Sequence, residues 1–251
     1  MAAGHMFEPD SHRGLAQFRR WLRIGALSRT VLFLASFLAS GTGHATDSRC
    51  FGTTGNGRLE GGVSLPLSGK NFSAYSFAGW STGRTYVHST VKAIVLAAYE
   101  EIEKTAPEKV FVYGETGWKE GGRFKPHKTH QNGLSVDLMV PVLLDGASVP
   151  LPGGVFNRYG YDIEFDSHGR YEDYTIDFEA LAELIYQLHN AASVRGIGVS
   201  RVIFEVPLQK HLWTTSRGDF LRRHVQFSTR TAWVRHDEHI HVDFDVPCGH
   251  M

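Results

Sequence analysis

Two segments far apart in the chain carry histidines and acids on the alternating pattern of a half-buried β-strand. From 134 to 142 Leu or Val occupies every even position, whereas Ser135 and Asp137 occupy odd positions. From 239 to 246 the even positions are again apolar, and the odd positions are polar: His239, His241, Asp243 and Asp245. Successive side chains of a strand point to opposite faces, so each segment is predicted to bury its even face and present a polar odd face.

If these two strands are neighbours in one sheet, Asp137, His239 and His241 project from the same side. His130 precedes the first strand in the pattern H-x-x-G-x-x-x-D and brings a further imidazole from a loop. Two imidazoles, one carboxylate and an open fourth position are typical of a catalytic zinc site, although other first-row metals accept the same donors. The residues alone leave open which of His239 and His241 binds the metal and which moves a proton beside it. Because the chain has 14 histidines, an H-x-H pair alone is weak evidence, and the metal prediction depends on the two matched segments together.

The first 45 residues have the layout of a secretory signal. Arg19, Arg20, Arg23 and Arg29 precede an apolar run from 30 to 39, and small residues follow to Ala45. The run is shorter than the roughly 20 residues of a membrane-spanning helix. We therefore predict a signal peptide at 1–45, an exported domain at 46–251 and no stable membrane insertion after cleavage. An uncleaved membrane anchor or a buried helix is the alternative.

The composition of residues 46–251 excludes some classes of partner. Without the predicted signal the chain has 21 basic and 24 acidic residues, a net charge of −3. No basic stripe remains, so nucleic acid is not expected as a partner. The two cysteines, Cys50 and Cys248, lie near opposite ends of this part. In an exported protein such a pair predicts a disulfide that ties the ends together, with two free thiols as the alternative.

The remaining patterns predict an α+β fold. Apolar residues recur at helical spacing from 85 to 104, and Asp177 can cap a second helix that covers 178 to about 192. A strand is predicted at 201–206, and the stretch 145–175, with its prolines and glycines, is predicted to be irregular. We expect a small antiparallel sheet that carries the metal site, flanked by helices and long irregular loops.

Three motifs connect this pattern to a known family. They are Gly121-Gly-Arg-Phe124, His127-x-x-His130-Gln-x-Gly133-x-x-Val-Asp137 and His236-x-x-His239-x-His241-Val. Together they resemble the penicillin-insensitive murein endopeptidases, which belong with the lysostaphin-type, D-Ala-D-Ala and hedgehog-related zinc domains. Weaker matches extend the likeness over most of the chain after residue 45.

The resemblance implies a role for each of these histidines. Three residues match the family's zinc ligands: His130, Asp137 and His241. They would bind one zinc ion per chain. His239 matches the general base or transition-state stabiliser, and His236 orients it or polarises the substrate carbonyl. His127 matches a family histidine that approaches the metal or binds substrate.

The activity implied by the resemblance is hydrolysis of the D-alanyl–meso-diaminopimelate cross-link between peptidoglycan stem peptides, in the periplasm. No serine is acylated in such a reaction, so β-lactams would not inhibit it. Two alternatives stay open: a zinc D,D-carboxypeptidase that trims uncrosslinked stems, and a non-enzymatic zinc-containing wall-binding module. The presence of both His236 and His239 argues against the second, because a structural zinc site does not require them.

Overall fold

The computed structural model describes residues 47–230, 232 and 234–251. The predicted signal peptide, residues 1–45, and its predicted cleavage site lie outside these described residues. Within the described part, no helix is both long enough and apolar enough to cross a membrane. The helices and the short, mostly antiparallel strands of this part confirm the predicted α+β class.

The strands and helices follow one another in mixed order along the chain. The strands are β1 (Arg49–Thr53), β2 (Asn56–Glu60), β3 (Val63–Ser64), β4 (Phe72–Ala74), β5 (Tyr86–Val87), β6 (Phe111–Tyr113), β7 (Ser135–Met139), β8 (Val142–Leu144), β9 (Ala147–Val149), β10 (Arg170–Tyr171), β11 (Tyr174–Ile176), β12 (Gly198–Ile203) and β13 (His239–Asp245). The helices are α1 (Phe77–Ser81), α2 (Ser89–Thr105), α3 (Phe178–Ser193), α4 (Val206–Leu212) and α5 (Gly218–His224).

A five-stranded sheet in the order β12-β13-β7-β6-β4 contains both patterned segments. Strands β12, β13, β7 and β6 are antiparallel, and β4 pairs with β6 in the parallel sense. The prediction that the two patterned strands are neighbours is confirmed, and in their register His241 lies directly opposite Asp137. Residues opposite each other project from the same face, so Asp137, His239 and His241 share one face of the sheet.

The other face of this sheet is buried against helices. The even residues of β7 and β13, among them Val136, Leu138 and Val242, are fully buried in the core. Helix α3 packs on β12, and α2 packs on α3. Asp177 caps α3 as predicted, because its side chain accepts a hydrogen bond from the Ala180 amide.

Helix α2 begins at Ser89, four residues later than its periodicity predicts. Tyr86 and Val87 instead pair with β3 as strand β5, and the His88 side chain caps the helix that follows. Val87 is buried in the same core as the inner face of α2. A buried strand residue therefore falls by coincidence on the helical spacing, which extends the pattern beyond the true start of the helix.

The stretch that was predicted to be irregular contains part of a second sheet. Strands β8, β9, β10 and β11 pair in the order β10-β11-β8-β9. Each is only two or three residues long, so alternation has no room to show in the sequence. Between β9 and β10 the chain forms a 3-10 segment, Val155–Gly160, inside a long loop, as the fold prediction expects.

The predicted disulfide between Cys50 and Cys248 is confirmed. Backbone hydrogen bonds hold the same segments together. The Gly52 amide donates to the Gly249 carbonyl, and the Gly249 amide donates to the Cys50 carbonyl, each at 2.9 Å. Gly52 has a φ of +69°, and a Cβ there would lie 2.3 Å from the Asn56 carbonyl oxygen. Strand β1 is thus fixed to the segment after β13 both covalently and through its backbone.

Candidate metal centre

Asp137 lies at the centre of a cluster of histidines on the polar face of the five-stranded sheet. Its side chain is fully buried, and its Oδ1 lies 2.9 Å from His241 Nδ1 and 3.1 Å from His130 Nε2. Its Oδ2 lies 3.6 Å from His127 Nδ1 and 3.8 Å from His239 Nε2. The fold therefore gathers four of the other five predicted site residues around the Asp137 carboxylate.

A loop with strained backbone delivers His130 to this cluster. His130 has a φ of +66°, in the left-handed region that residues other than glycine adopt infrequently. Its Nδ1–H donates to the Thr116 carbonyl oxygen at 3.1 Å. Its Nε2 is buried and makes no hydrogen bond to any residue that the structure describes. A buried lone pair without a donor is costly, and a metal ion at this point would satisfy it.

In each of the other three histidines near Asp137, one ring nitrogen is held by an acidic side chain. The nitrogen–oxygen pairs are His241 with Asp243 at 2.8 Å, His127 with Glu115 at 2.7 Å and His239 with Glu238 at 2.8 Å. In each ring the opposite nitrogen faces Asp137. A neutral imidazole that gives its N–H to an outer acid presents a lone pair on the other nitrogen, which is how such acids orient metal-binding histidines.

The charges around Asp137 favour a cation at this position. Burial would raise the pKa of Asp137, but the surrounding imidazoles, His130 above all, hold it well below its ordinary value. Burial would lower the pKa of His241, but the carboxylates of Asp243 and Asp137 outweigh it and raise the pKa to about 9. At His130 burial dominates and the pKa is lowered. An ionised carboxylate among imidazoles is a donor set that divalent metals prefer, and a metal ion that binds here takes the place of the proton on His241.

His127, His130 and Asp137 could hold a metal ion, because one ligand atom from each lies within 4.8 Å of the others. Ligand atoms about 2.1 Å from a tetrahedral ion lie roughly 3.4 Å from one another. The separations of 2.9 and 3.1 Å at Asp137 Oδ1, to His241 and His130, are close to that value. The donor set therefore fits a small first-row divalent ion, of which zinc is one.

His239 and His236 form a pair of rings beside the cluster. Their centroids lie 4.7 Å apart. His236 Nδ1–H donates to the Val234 carbonyl oxygen at 2.9 Å, and burial, followed by the neighbouring His239, lowers the pKa of His236 to about 3. Burial acts in the same direction on His239, but the Glu238 and Asp137 carboxylates outweigh it and raise its pKa. His236 is therefore neutral, and His239 is the more basic ring of the two.

The cluster lies at the base of a cleft of about 910 Å³. The walls are helix α1, the loop at 126–129, the loop at 155–164 and the segment that leads into β13. Pockets of this size are near the upper end of the usual range for ligand sites. The cleft reaches the rings of His127, His236, His239 and His241, whereas His130 and Asp137 are fully buried behind them.

Tyr161 and Glu115 are among the residues that hold the cluster and were not predicted from the sequence. The Tyr161 hydroxyl accepts a hydrogen bond from the Glu115 amide at 2.7 Å and donates one to Asp137 Oδ2 at 3.2 Å. Burial would raise the pKa of Glu115, but Arg84 and His127 outweigh it and lower the pKa to about 2. The position of Glu115 two residues after the buried strand β6 was an available signal. Tyr161 lies in a loop without any periodic pattern and gave none.

An open cleft with histidine and carboxylate donors at its base is the arrangement of a hydrolase that can use a metal ion. The sequence profile of the penicillin-insensitive murein endopeptidases matches residues 50–251, which is most of the chain. The chain therefore belongs to the penicillin-insensitive murein endopeptidase family. A search of curated proteins found no significant match.

The family assignment confirms the prediction of a peptidase that acts on peptidoglycan. The roles of the individual site residues and the identity of the metal stay predictions.

Proposed function

We propose that this murein endopeptidase is an exported zinc enzyme that hydrolyses the D-alanyl–meso-diaminopimelate cross-link between stem peptides. His130, Asp137 and His241 are its zinc ligands in this proposal, and His127 completes the donor set. The observation that carries it is the buried His130 Nε2, which has no hydrogen-bond partner in the described part of the chain and lies 3.1 Å from Asp137 Oδ1. Export through residues 1–45 follows from the location of the substrate, which lies outside the cytoplasmic membrane.

Bound at these residues, zinc would supply Lewis-acid polarisation of the scissile carbonyl and of the attacking water. The chain's own residues hold the donors in place for this role. Asp243 fixes the His241 ring from behind, and Glu115 fixes the His127 ring. The Thr116 carbonyl fixes the His130 ring in the same way. Outer partners of this kind typically contribute a factor of about 10–100 in metal affinity.

His239 is the proposed general base. Its Nδ1–H is held by Glu238, so Nε2 presents its lone pair toward the cluster, where it lies 3.8 Å from Asp137 Oδ2. A base in this position takes a proton from the attacking water and passes it to the leaving amine. The Glu238 and Asp137 carboxylates raise the pKa of His239, so the unprotonated ring is a stronger base and its protonated form is stabilised until the proton passes to the amine.

His236 is proposed to position His239 rather than to donate a hydrogen bond to the developing oxyanion. Its one ring N–H is engaged by the Val234 carbonyl, and its lowered pKa keeps it neutral. Its Nε2 is then an acceptor, which cannot stabilise negative charge. The 4.7 Å contact between the two rings gives His236 a direct means to orient the base.

The test is mass spectrometry of muropeptides after incubation with the zinc-loaded protein. A cross-linked dimer should be converted to two monomers, whereas a pentapeptide monomer should be unchanged. Loss of one alanine from the pentapeptide, with the dimer intact, would identify a D,D-carboxypeptidase instead. If neither substrate changes while zinc is bound in stoichiometric amount, a zinc-containing wall-binding module is the better description.

Variants separate the roles of the residues. His239→Ala should retain zinc and lose turnover by a factor of roughly 100 or more. His130→Ala and Asp137→Ala should lose zinc itself. His168→Ala is the matched control, because His168 is exposed and lies outside the cluster. Stoichiometric zinc in both ligand variants, or full turnover in His239→Ala, contradicts the assignment.

A further inference from the structure

Arg201 lies on the same face of the sheet as the metal centre. In β12 it is directly opposite Asp243, and Ile203 is directly opposite His241. Arg201 is therefore two residues from the row of the sheet that contains His241 and Asp137, which corresponds to about 7 Å along the strand. Its side chain is 43% exposed and lines the cleft.

The guanidinium of Arg201 is fixed on one edge and available on the other. Nε donates to Asp243 Oδ2 at 3.0 Å, and Nη2 donates to the same oxygen. Nη1 makes no hydrogen bond to any residue in the described part of the chain. The buried Asp243 also accepts from Ser135 and His241, so its position does not depend on Arg201 alone. A guanidinium held in this way loses little further freedom when its outer edge binds a ligand.

The other arginines of the cleft are engaged differently. Arg235 has its Nε, Nη1 and Nη2 atoms all occupied by Asp237, Glu164 and the Phe165 carbonyl. Arg84 also has its Nε and Nη2 atoms on one carboxylate, Glu115, but its side chain is only 20% exposed, its Nη2 donates to the Lys125 carbonyl as well, and its guanidinium lies over the Trp118 and Phe124 rings. Arg158 is 61% exposed and forms an ion pair with Asp162 on the outer loop. Arg201 combines access from the cleft, a fixed position and an available edge, and it lies two residues from the row of the sheet that contains His241 and Asp137.

The proposed substrate has a group of matching charge close to its scissile bond. In the D-alanyl–meso-diaminopimelate link the carbon that bears the scissile nitrogen also bears a carboxylate. That carboxyl carbon is three bonds from the scissile carbonyl carbon, and therefore within about 4 Å of it. A carbonyl placed at the metal centre therefore has this carboxylate close to it, and the row of the sheet that contains Arg201 is about 7 Å from the row that contains His241.

We propose that Arg201 forms a subsite that recognises the carboxylate adjacent to the scissile nitrogen, on the leaving-group side of the substrate. The proposal rests on the proposed function, because it takes the substrate from it. Arg201 binds through its Nη1 edge, while Asp243 holds the opposite edge. A charge-assisted hydrogen bond of this type corresponds to a factor of roughly 10–100 in kcat/KM between substrates with and without the carboxylate.

The experiment compares two cross-linked dimers that differ only at this group, one with the free carboxylate and one with a carboxamide in its place. The wild-type enzyme should prefer the free acid by a factor of roughly 10–100 in kcat/KM. Arg201→Gln should reduce the preference to near one by slowing the free acid, and Arg201→Lys should restore part of it. Arg158→Gln, which changes another exposed arginine of the same cleft, should keep the wild-type preference. Zinc content is measured for every variant.

The outcomes distinguish recognition from a structural role. Equal slowing of both dimers by Arg201→Gln overturns the proposal, because Arg201 would then act only through Asp243 and His241. Collapse of the preference in Arg158→Gln, with the preference of Arg201→Gln unaffected, would assign the subsite to Arg158 and would also overturn the proposal. Equal hydrolysis of both dimers by the wild-type enzyme overturns this proposal alone, whereas hydrolysis of neither overturns the proposed function.

Discussion

Asp243 is the residue at which the metal centre and the stability of the sheet are most directly linked, and its replacement by asparagine tests that link. Asp243 is nearly fully buried. Its Oδ1 accepts from Ser135 and His241, and its Oδ2 accepts twice from Arg201. Asparagine has the same shape but only one acceptor oxygen, so in either orientation its NH₂ group faces donors.

The expected effect has two parts. At least one buried donor loses its partner in Asp243→Asn, which should lower the free energy of unfolding of the metal-free protein by about 1–3 kcal/mol. The neutral amide also holds the His241 ring less firmly and makes it a poorer donor to the metal. Loss of such an outer partner should weaken metal binding by about 10–100-fold, which corresponds to about 1.4–2.7 kcal/mol.

Two measurements resolve these parts. Urea unfolding of the metal-free proteins gives the change in the free energy of unfolding, and competition with a chelator of known affinity gives the change in metal affinity. Ser135→Ala is the matched control, because it removes one hydrogen bond to Asp243 but leaves the contact with His241 unchanged. It should shift metal affinity by less than about 3-fold. Metal affinity that is equal in Asp243→Asn and the wild type would refute the claim that Asp243 orients a ligand.

Two further predictions concern parts of the chain around the site. Replacing Cys50 and Cys248 by serine opens a loop with a sequence separation of 198, which should lower the free energy of unfolding by up to about 5 kcal/mol in the loop-entropy treatment. Activity at low temperature should persist. An unchanged unfolding midpoint in urea would contradict the prediction. In Gly114→Ala the new Cβ would lie 2.5 Å from the Tyr161 hydroxyl and 3.1 Å from Asp137 Cβ. Overpacking should lower the free energy of unfolding in urea by about 1–3 kcal/mol. Because Asp137 is displaced, chelator competition should also show weaker metal binding. Gly154→Ala is its control, since nothing lies within 4 Å of the added methyl, and equal metal affinity in both variants would argue against it.

The sheet that positions the site was predictable because burial and polarity coincide on opposite faces of β7 and β13. Both strands must bury their even residues, so pairing them as neighbours leaves Asp137 and the odd histidines on one face in any register that keeps the core. The exact register was not predictable from alternation. A shift of two residues would place His239 opposite Asp137 and preserve the same faces, and only the folded sheet shows His241 there.

The parts of the site that lie on loops were not predictable in the same way. Tyr161 reaches Asp137 because the loop after β9 folds back over the cleft, and no periodic signal marks such a path. Glu115 and Glu238 look like ordinary surface acids in the sequence, yet both are buried and each holds a histidine. Local sequence determines strand faces and helix caps, whereas these contacts depend on which loops the tertiary fold brings together.

The distribution of charge around the cluster indicates why the centre itself should bind a cation. Two of the buried carboxylates at its edge have permanently charged partners: Glu115 binds Arg84, and Asp243 binds Arg201. Asp137 is fully buried, and its ion-pair and side-chain hydrogen-bond partners within the described residues are imidazoles and one tyrosine hydroxyl. A buried carboxylate that must stay ionised is stable only if a positive charge compensates it. In the metal-free protein His241, with its pKa raised to about 9, supplies that charge, whereas His130, whose pKa is lowered, supplies only a lone pair. A divalent ion at Asp137 satisfies both requirements at once, because it balances the carboxylate and accepts the lone pairs of the histidines that face it.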